Sequence, residues 1–288
     1  MAKPNILVTG KNGQLGNELV VLSAKFPQYN FVFTGASEMD ISDGEKVAAF
    51  FKEYEPAVCI NAAAYTAVDK AETNKELAVK INGEAVGMLA ANCSKVGAKF
   101  IHVSTDYVFD GTADSPYTED HPVKPVNFYG ESKLRGELAA MEAYPATIII
   151  RTSWVYSFFG NNFVKTMLRF MKERESVIVI NDQFGTPTYA ADLAEAIMQI
   201  VTSPVNEAGI YNYSNDGLIS WFDFAVAIKE LSGLDCMVKP VDTSGYPTPA
   251  KRPGYSVMSK EKIKSTFGIQ LKDWKESLQK CLQLLQPQ

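Results

Sequence analysis

The chain runs from a short apolar stretch, Asn5-Ile-Leu-Val-Thr9, straight into Gly10-Lys-Asn-Gly13-Gln-Leu-Gly16 and then into a helical pattern from Asn17 to Lys25. A strand, a glycine turn and a helix in that order, spaced G-x-x-G-x-x-G, form the opening βα unit of a dinucleotide-binding fold. Gly10 permits the tight turn, Gly13 lets backbone N–H groups approach a pyrophosphate, and Gly16 lets the helix pack on the strand with its positive end toward the phosphates. Such a triplet is also compatible with a tight turn that binds nothing, so its weight depends on the rest of the chain.

Beyond the first helix, strands and helices alternate. Asn30–Thr34 reads as a second strand, Asp43 as the N-cap of a helix through Tyr54, Pro56–Ile60 as a third strand, Lys75–Val96 as a helix, and Lys99–Ser104 and Ala146–Arg151 as further strands. Right-handed crossovers then predict an α/β fold, a Rossmann-type doubly wound parallel sheet with helices on both faces. Beyond Tyr189 the pattern shifts to helices 190–202, 221–231, 260–266 and 274–285 around a short strand, Gly209–Tyr213, which predicts a smaller, discontinuous C-terminal α/β substrate lobe. The expected division is a dinucleotide-binding domain of residues 1–155 plus about 186–213, and a substrate-binding lobe of about 156–185 plus 214–288.

Composition narrows the classes. With 288 residues, 46% of them hydrophobic, the chain can bury a large core, and no apolar run reaches the ~18 residues of a membrane span. A net charge of −5 with dispersed Lys and Arg leaves no basic stripe for a nucleic acid. Four separated cysteines without a Cys-x-x-Cys, and two histidines, suggest neither a disulfide frame nor a zinc site. Without a signal-peptide pattern, the expected location is the cytoplasm.

Chemistry concentrates between Lys99 and Lys133. Thr105-Asp106 breaks the chain at the carboxyl end of a strand, and Tyr129-Gly-Glu-Ser-Lys133 heads a helix. Four residues apart, Tyr129 and Lys133 share a helix face, so an ammonium near the phenol is expected to lower its pKa toward a working range. Thr105 is placed to give a hydroxyl to the same substrate oxygen. Such a pair also occurs by chance on solvated helices, and Thr-Asp after a strand is an ordinary N-cap. Asn61-Ala-Ala-Ala64 leaves its strand with room for a flat ligand or begins a helix, and Asp40 is a turn residue or an acceptor for an adenine amino group.

Several longer strings carry a resemblance: Asn61-Ala-Ala-Ala-Tyr-Thr-Ala-Val-Asp-Lys-Ala-Glu72, Ser104-Thr-Asp-Tyr-Val-Phe-Asp-Gly111, Tyr129-Gly-Glu-Ser-Lys133, Arg151-Thr-Ser-Trp-Val-Tyr156, Gly160-Asn-Asn-Phe163, Asn181-Asp-Gln-Phe-Gly-Thr-Pro187 and Tyr246-Pro-Thr-Pro249 with Arg252-Pro253. On these the chain resembles the extended short-chain dehydrogenase/reductase superfamily, and within it the dTDP-4-dehydrorhamnose reductase family of polysaccharide biosynthesis. The resemblance implies hydride transfer from a nicotinamide cofactor to the C4 keto carbon of a dTDP-linked deoxyhexose. It makes Tyr129 the proton donor, Lys133 the ribose holder and Thr105 the residue that hydrogen-bonds the reacting oxygen. It implies that Gly10, Gly13, Gln14, Leu15, Gly16, Asp40, Ile41, Ala64, Tyr65 and Thr66 line the dinucleotide. Val68, Asp106 and Trp154 are implied near the sugar nucleotide, and Arg252 suits a bidentate grip on its pyrophosphate. Trp154 also reads as a core aromatic, and Arg252 as a loop charge.

After the second strand, Thr34, Gly35 and Ser37 stand where an NAD-specific site would place a carboxylate, with Glu38 a residue or more too late and no arginine nearby. NADPH is therefore the expected cofactor, with NADH accepted alongside. Some members of the resembled family bind Mg²⁺ at a dimer interface. Here Glu18 stands on the first helix, but Tyr189-Ala-Ala-Asp-Leu-Ala-Glu195 has alanine where a carboxylate is needed, so no metal and a monomer or weak homodimer are expected. Other nucleotide-sugar reductases, epimerases and dehydratases are alternatives, though a dehydratase wants Asp-Glu where this chain has Asp106-Tyr107. A further alternative is a non-catalytic subunit like the regulatory subunit of methionine adenosyltransferase.

Overall fold

Residues 3–285 are described by a computed structural model. Six parallel strands form the central sheet: β1 (Asn5–Thr9), β2 (Asn30–Thr34), β3 (Val58–Asn61), β4 (Lys99–Thr105), β5 (Ile148–Thr152) and β6 (Gly209–Asn212). Their spatial order is β6-β5-β4-β3-β1-β2, each neighbour parallel to the next. The chain leaves β1 toward β2 on one side and returns to β3 on the other, so a crevice opens above the carboxyl ends of β1 and β3.

Both faces of the sheet are covered, which is why β1 is an unbroken apolar run. Ile6 and Val8 pack on one face with Leu15, Leu19 and Leu22 of α1 (Gln14–Ser23) and with Leu193 and Ile197 of the helix Ala190–Thr202. Leu7 faces the other way, toward Val47 and Phe51 of α2 (Gly44–Tyr54) and Leu89 of α3 (Ala85–Val96). Each such residue contributes about 1.5–3 kcal/mol by leaving water. A separate core gathers Val164, Met167, Val177, Val179, Phe224, Ile228, Leu278 and Leu282, all from beyond residue 155.

Two features depart from the sequence reading. The helix expected over 75–96 is interrupted by a wider π-turn at Lys80–Glu84, before α3. Asn82 in that turn holds the backbone of Tyr65 with its amide, accepting from the N–H at 2.8 Å and donating to the carbonyl at 3.0 Å, and donates to Ser132 Oγ at 3.0 Å. The extra residue in the turn aims this side chain across two neighbouring segments. Met237–Val241, unassigned from sequence, is a strand parallel to Ser176–Ile180. Pro240 argues against a central strand, and this two-stranded ribbon leaves Pro240 at an edge.

The helix α4 (Phe128–Ala143) is set by long-range ties. Asn127 caps it, its side chain accepting from Gly130 N at 2.8 Å, and Glu72 accepts from Phe128 N at 2.8 Å. At Gly130 a Cβ would lie 2.1 Å from the carbonyl oxygen of Tyr107, so only glycine lets the helix start touch the turn after β4. Farther along, Arg151 of β5 is buried and donates to Glu137 from both Nε, at 3.0 Å, and Nη2, at 2.7 Å. This pair clamps α4 to the sheet.

Candidate active site

A cavity of about 590 Å³ occupies the crevice, lined on one side by the glycine loop and on the other by Tyr129 and Lys133. Gly10 holds φ +75°, and a Cβ there would lie 2.6 Å from Ala63 N, so the turn closes directly on the chain leaving β3. The N-cap of α1, Gly13, offers no side chain to the helix, and the uncapped N–H groups border the cavity. Ser104 Oγ, also lining the cavity, is buried without a hydrogen-bond partner. An uncapped helix start, glycine walls and an orphaned hydroxyl form a cradle suited to a dinucleotide with its pyrophosphate on the helix.

Gly10, Gly13, Gln14, Leu15, Asp40, Ile41, Ala64, Thr66, Tyr129 and Lys133 all line this cavity. Gly16 and Tyr65, expected with them, are not in its lining. A Cβ on Gly16 would meet the Gly10 carbonyl at 2.1 Å, and the Tyr65 backbone is the segment held by Asn82. Asp40 spends one carboxylate oxygen on its own turn, accepting from Ser42 N at 2.9 Å and Ser42 Oγ at 2.8 Å.

On the opposite wall, Lys133 Nζ donates to the Val103 carbonyl at 2.7 Å and lies 3.4 Å from Nε2 of the fully buried His102. Burial brings the Lys133 pKa down to about 8, with Glu137 acting against the shift. Burial likewise holds His102 well below its ordinary value, so its ring is neutral. Asn61 anchors that ring from behind at 3.0 Å and itself accepts from Thr9 Oγ1 at 2.6 Å.

One expectation is corrected here. The Tyr129 phenol is not lowered but raised well above its usual value, first by burial and then by the Asp106 carboxylate, with the Thr105 hydroxyl acting the other way. Lys133 has turned its amine to Val103 and His102, so it does not offset the desolvation of the phenol. The Thr105 hydroxyl donates to Asp106 Oδ1 at 2.9 Å and accepts from Tyr107 N at 3.2 Å, which joins the N-cap role to a place beside Tyr129. Asp106 is buried, its Oδ2 has no partner, and burial raises its pKa to about 6.

A second correction concerns Glu38. It is not too late in the chain to reach the end of β2, because its carboxylate folds back to accept from Gly35 N at 2.9 Å and pairs with Lys11 Nζ at 2.6 Å. Lys11 escaped the sequence reading, which looked for a cation after β2 rather than inside the glycine loop. Ser104, Thr152, Gly160 and Asn161 also line the cavity without having been singled out. Gly160-Asn-Asn162 signalled its place only through the family strings.

All five expected substrate contacts lie outside the cavity lining, Thr105 and Asp106 directly after the lining residue Ser104, and Val68, Trp154 and Arg252 elsewhere. Val68 opens the short helix Val68–Ala71. Arg252 is bidentate, but to Asp69, at 2.6 and 3.0 Å, and it also donates to the Ala250 carbonyl at 2.7 Å. Trp154 takes a left-handed backbone, φ +48°, and stacks on Trp221 with ring centres 3.6 Å apart. A Cβ on Gly185 would fall 2.6 Å from the Trp154 ring, so the indole is gripped by the second core while the adjoining Val155 reaches the cavity.

The acids of the first and later helices are engaged by protein groups. Glu18 accepts from Ser157 at 2.5 Å, while Lys272 donates to Asp192 at 2.7 Å and Glu195 at 2.6 Å. No cluster of three metal-binding side chains occurs among the described residues. None of the described helices is long and apolar enough to cross a membrane.

A family model described as RmlD substrate binding domain matches residues 4–286. The chain is 44% identical to a dTDP-4-dehydrorhamnose reductase of Burkholderia thailandensis, covering 96% of this chain and 97% of that protein. Among solved structures, a dTDP-4-dehydrorhamnose reductase from Clostridium acetobutylicum superposes with a TM-score of 0.95 at 42% identity, over 98% of this chain and all of that one. The Bacillus anthracis dTDP-4-dehydrorhamnose reductase, solved with NADP, gives 0.94 at 38% identity, over 98% and 99%.

Proposed function

The chain belongs to the RmlD substrate binding domain family, and from that premise we propose that it is an NADPH-dependent reductase of the C4 keto group of dTDP-4-dehydro-L-rhamnose, yielding dTDP-L-rhamnose. The observation that carries the chemistry is that Tyr129 and Lys133 share one wall of the cavity whose other wall is the glycine loop. The N–H groups at the start of α1 would hold the pyrophosphate, and Lys133 the nicotinamide ribose. Bound NADPH supplies a hydride equivalent.

Tyr129, protonated because its surroundings disfavour phenolate, gives its phenolic proton to the oxygen of the reduced carbon. Lys133, whose side chain shares that cavity wall, would stabilise the phenolate left behind once its amine turns from the Val103 carbonyl toward the cavity. Thr105 and Asp106, bonded to each other at the end of β4, orient the sugar beside the phenol. The Asn82–Ser132 and Arg151–Glu137 ties keep α4 from shifting, which matters because a misplacement of about 1 Å costs on the order of 100-fold in rate.

In this reading residues 1–155 with about 186–213 bind the dinucleotide, and about 156–185 with 214–288 close on the sugar nucleotide. The protein acts in the cytoplasm as a monomer or weak homodimer, without Mg²⁺. Purified protein is mixed with NADPH and dTDP-4-dehydro-L-rhamnose, and reduced-nicotinamide absorbance is followed. Its loss with formation of dTDP-L-rhamnose is expected. No oxidation above background overturns the reading and favours a binding subunit.

A further inference from the structure

Beside the cavity a cation and an anion pair with each other, carried by two segments whose neighbouring residues line it. Lys11 sits in the glycine loop between Gly10 and Asn12, and Glu38 in the turn after β2 between Ala36 and Met39; Gly10, Asn12, Ala36 and Met39 all line the cavity. Both backbones are fixed, Lys11 N donating to Thr34 O at 3.0 Å and Glu38 N to Gly35 O at 3.2 Å. Their side chains meet at 2.6 Å while staying partly open to solvent, 30% for Lys11 and 41% for Glu38. The second carboxylate oxygen accepts from Gly35 N at 2.9 Å.

In dinucleotide folds the end of the second strand is where the adenosine ribose is read. A carboxylate there takes the 2′-hydroxyl of NAD(H), and a nearby cation takes the 2′-phosphate of NADP(H). This chain supplies one group of each kind, bound to each other. We propose that the Lys11–Glu38 pair is the selectivity element for the 2′ position: Lys11 leaves Glu38 to pair with a 2′-phosphate, and Glu38 accepts the 2′-hydroxyl when no phosphate is present.

This deepens the reading that the cavity holds a nicotinamide dinucleotide, and rests on it. The shared partner has two consequences. A phosphate must displace Glu38 from Lys11 and then sits near a carboxylate, so the advantage of NADPH over NADH is blunted. The Lys11 contact is between exposed charges, so that advantage declines with salt.

The test is equilibrium binding, by titration calorimetry, of NADPH and NADH to the full chain and to Lys11→Ala and Glu38→Gln at two salt concentrations. Both side chains are partly exposed and loop-borne, so both variants fold. Lys11→Ala is expected to weaken NADPH roughly tenfold, the scale of one charge-assisted contact, to change NADH little, and to remove most of the salt dependence of the NADPH preference. Glu38→Gln is expected to tighten NADPH and weaken NADH. Variants that keep the wild-type affinity ratio overturn this inference alone. A wild-type chain that binds neither dinucleotide overturns the underlying reading as well.

Discussion

The side-chain nitrogen of Lys133 lies 3.4 Å from Nε2 of His102, inside the wall that carries the proposed proton donor. Neither group is exposed, and the neighbouring ring is neutral. The charge of the lysine therefore depends on the carbonyl of Val103, on Glu137 one turn along α4, and on what enters the cavity.

The pH profile should report this lysine. Its pKa is lowered to about 8, so the ammonium is present below that pH and is lost as pH rises through it. The expected result is an alkaline limb in kcat/KM for NADPH centred near pH 8. A profile flat through this region would detach Lys133 from the rate.

Tyr129→Phe removes the phenolic proton and nothing else of comparable size. Turnover should fall at least ~100-fold, the lower scale for a positioned general acid, with NADPH affinity within a factor of two. Stopped assays for product and a binding titration check the two halves. Retained turnover reassigns the acid.

Asp106 provides a stability test with a definite sign. Its folded pKa, raised to about 6 from 3.8, means that the folded state binds the proton more tightly than the unfolded state. The carboxylate then costs nothing below about pH 4, and its cost is fully present above pH 6, where it amounts to about 3 kcal/mol at most. Asp106→Asn should unfold at higher denaturant than wild type at pH 7.5, by about 2 kcal/mol, with the difference gone near pH 4. An unchanged midpoint at pH 7.5 would show that the carboxylate finds a partner.

The buried Arg151–Glu137 pair should behave asymmetrically. Arg151→Met leaves the buried Glu137 carboxylate without its guanidinium partner, at a cost of about 3–5 kcal/mol. The double replacement, Arg151→Met with Glu137→Leu, leaves no orphaned charge and should recover much of that loss in denaturant unfolding. A double variant as unstable as the sum of its parts would mean that the pair contributes more than mutual neutralisation.

What the sequence made legible was local. The glycine spacing, the strand–helix alternation and the i,i+4 placement of Tyr129 and Lys133 depend on neighbours a few residues apart, and these fall around one crevice. Pairings across the chain were hidden. Arg252 bonds Asp69, 183 positions away, and Trp154 stacks on Trp221, so neither partner could be read from its own surroundings. Glu38 was misjudged for a different reason. Residue spacing measures the backbone, whereas a long side chain can fold back three residues to the N–H of Gly35. The π-turn at Asn82 and the strand through Pro240 show the same limit, since each is decided by what packs against it.

All three tryptophans of the chain, Trp154, Trp221 and Trp274, belong to the second core, and none packs in the sheet core. The protein's ultraviolet emission is therefore a local signal. It tracks loosening of the second core and of its stacked indoles, while dissolution of the large sheet would register in backbone circular dichroism. Comparing the two on one thermal ramp would reveal whether the halves of this molecule let go together or in turn.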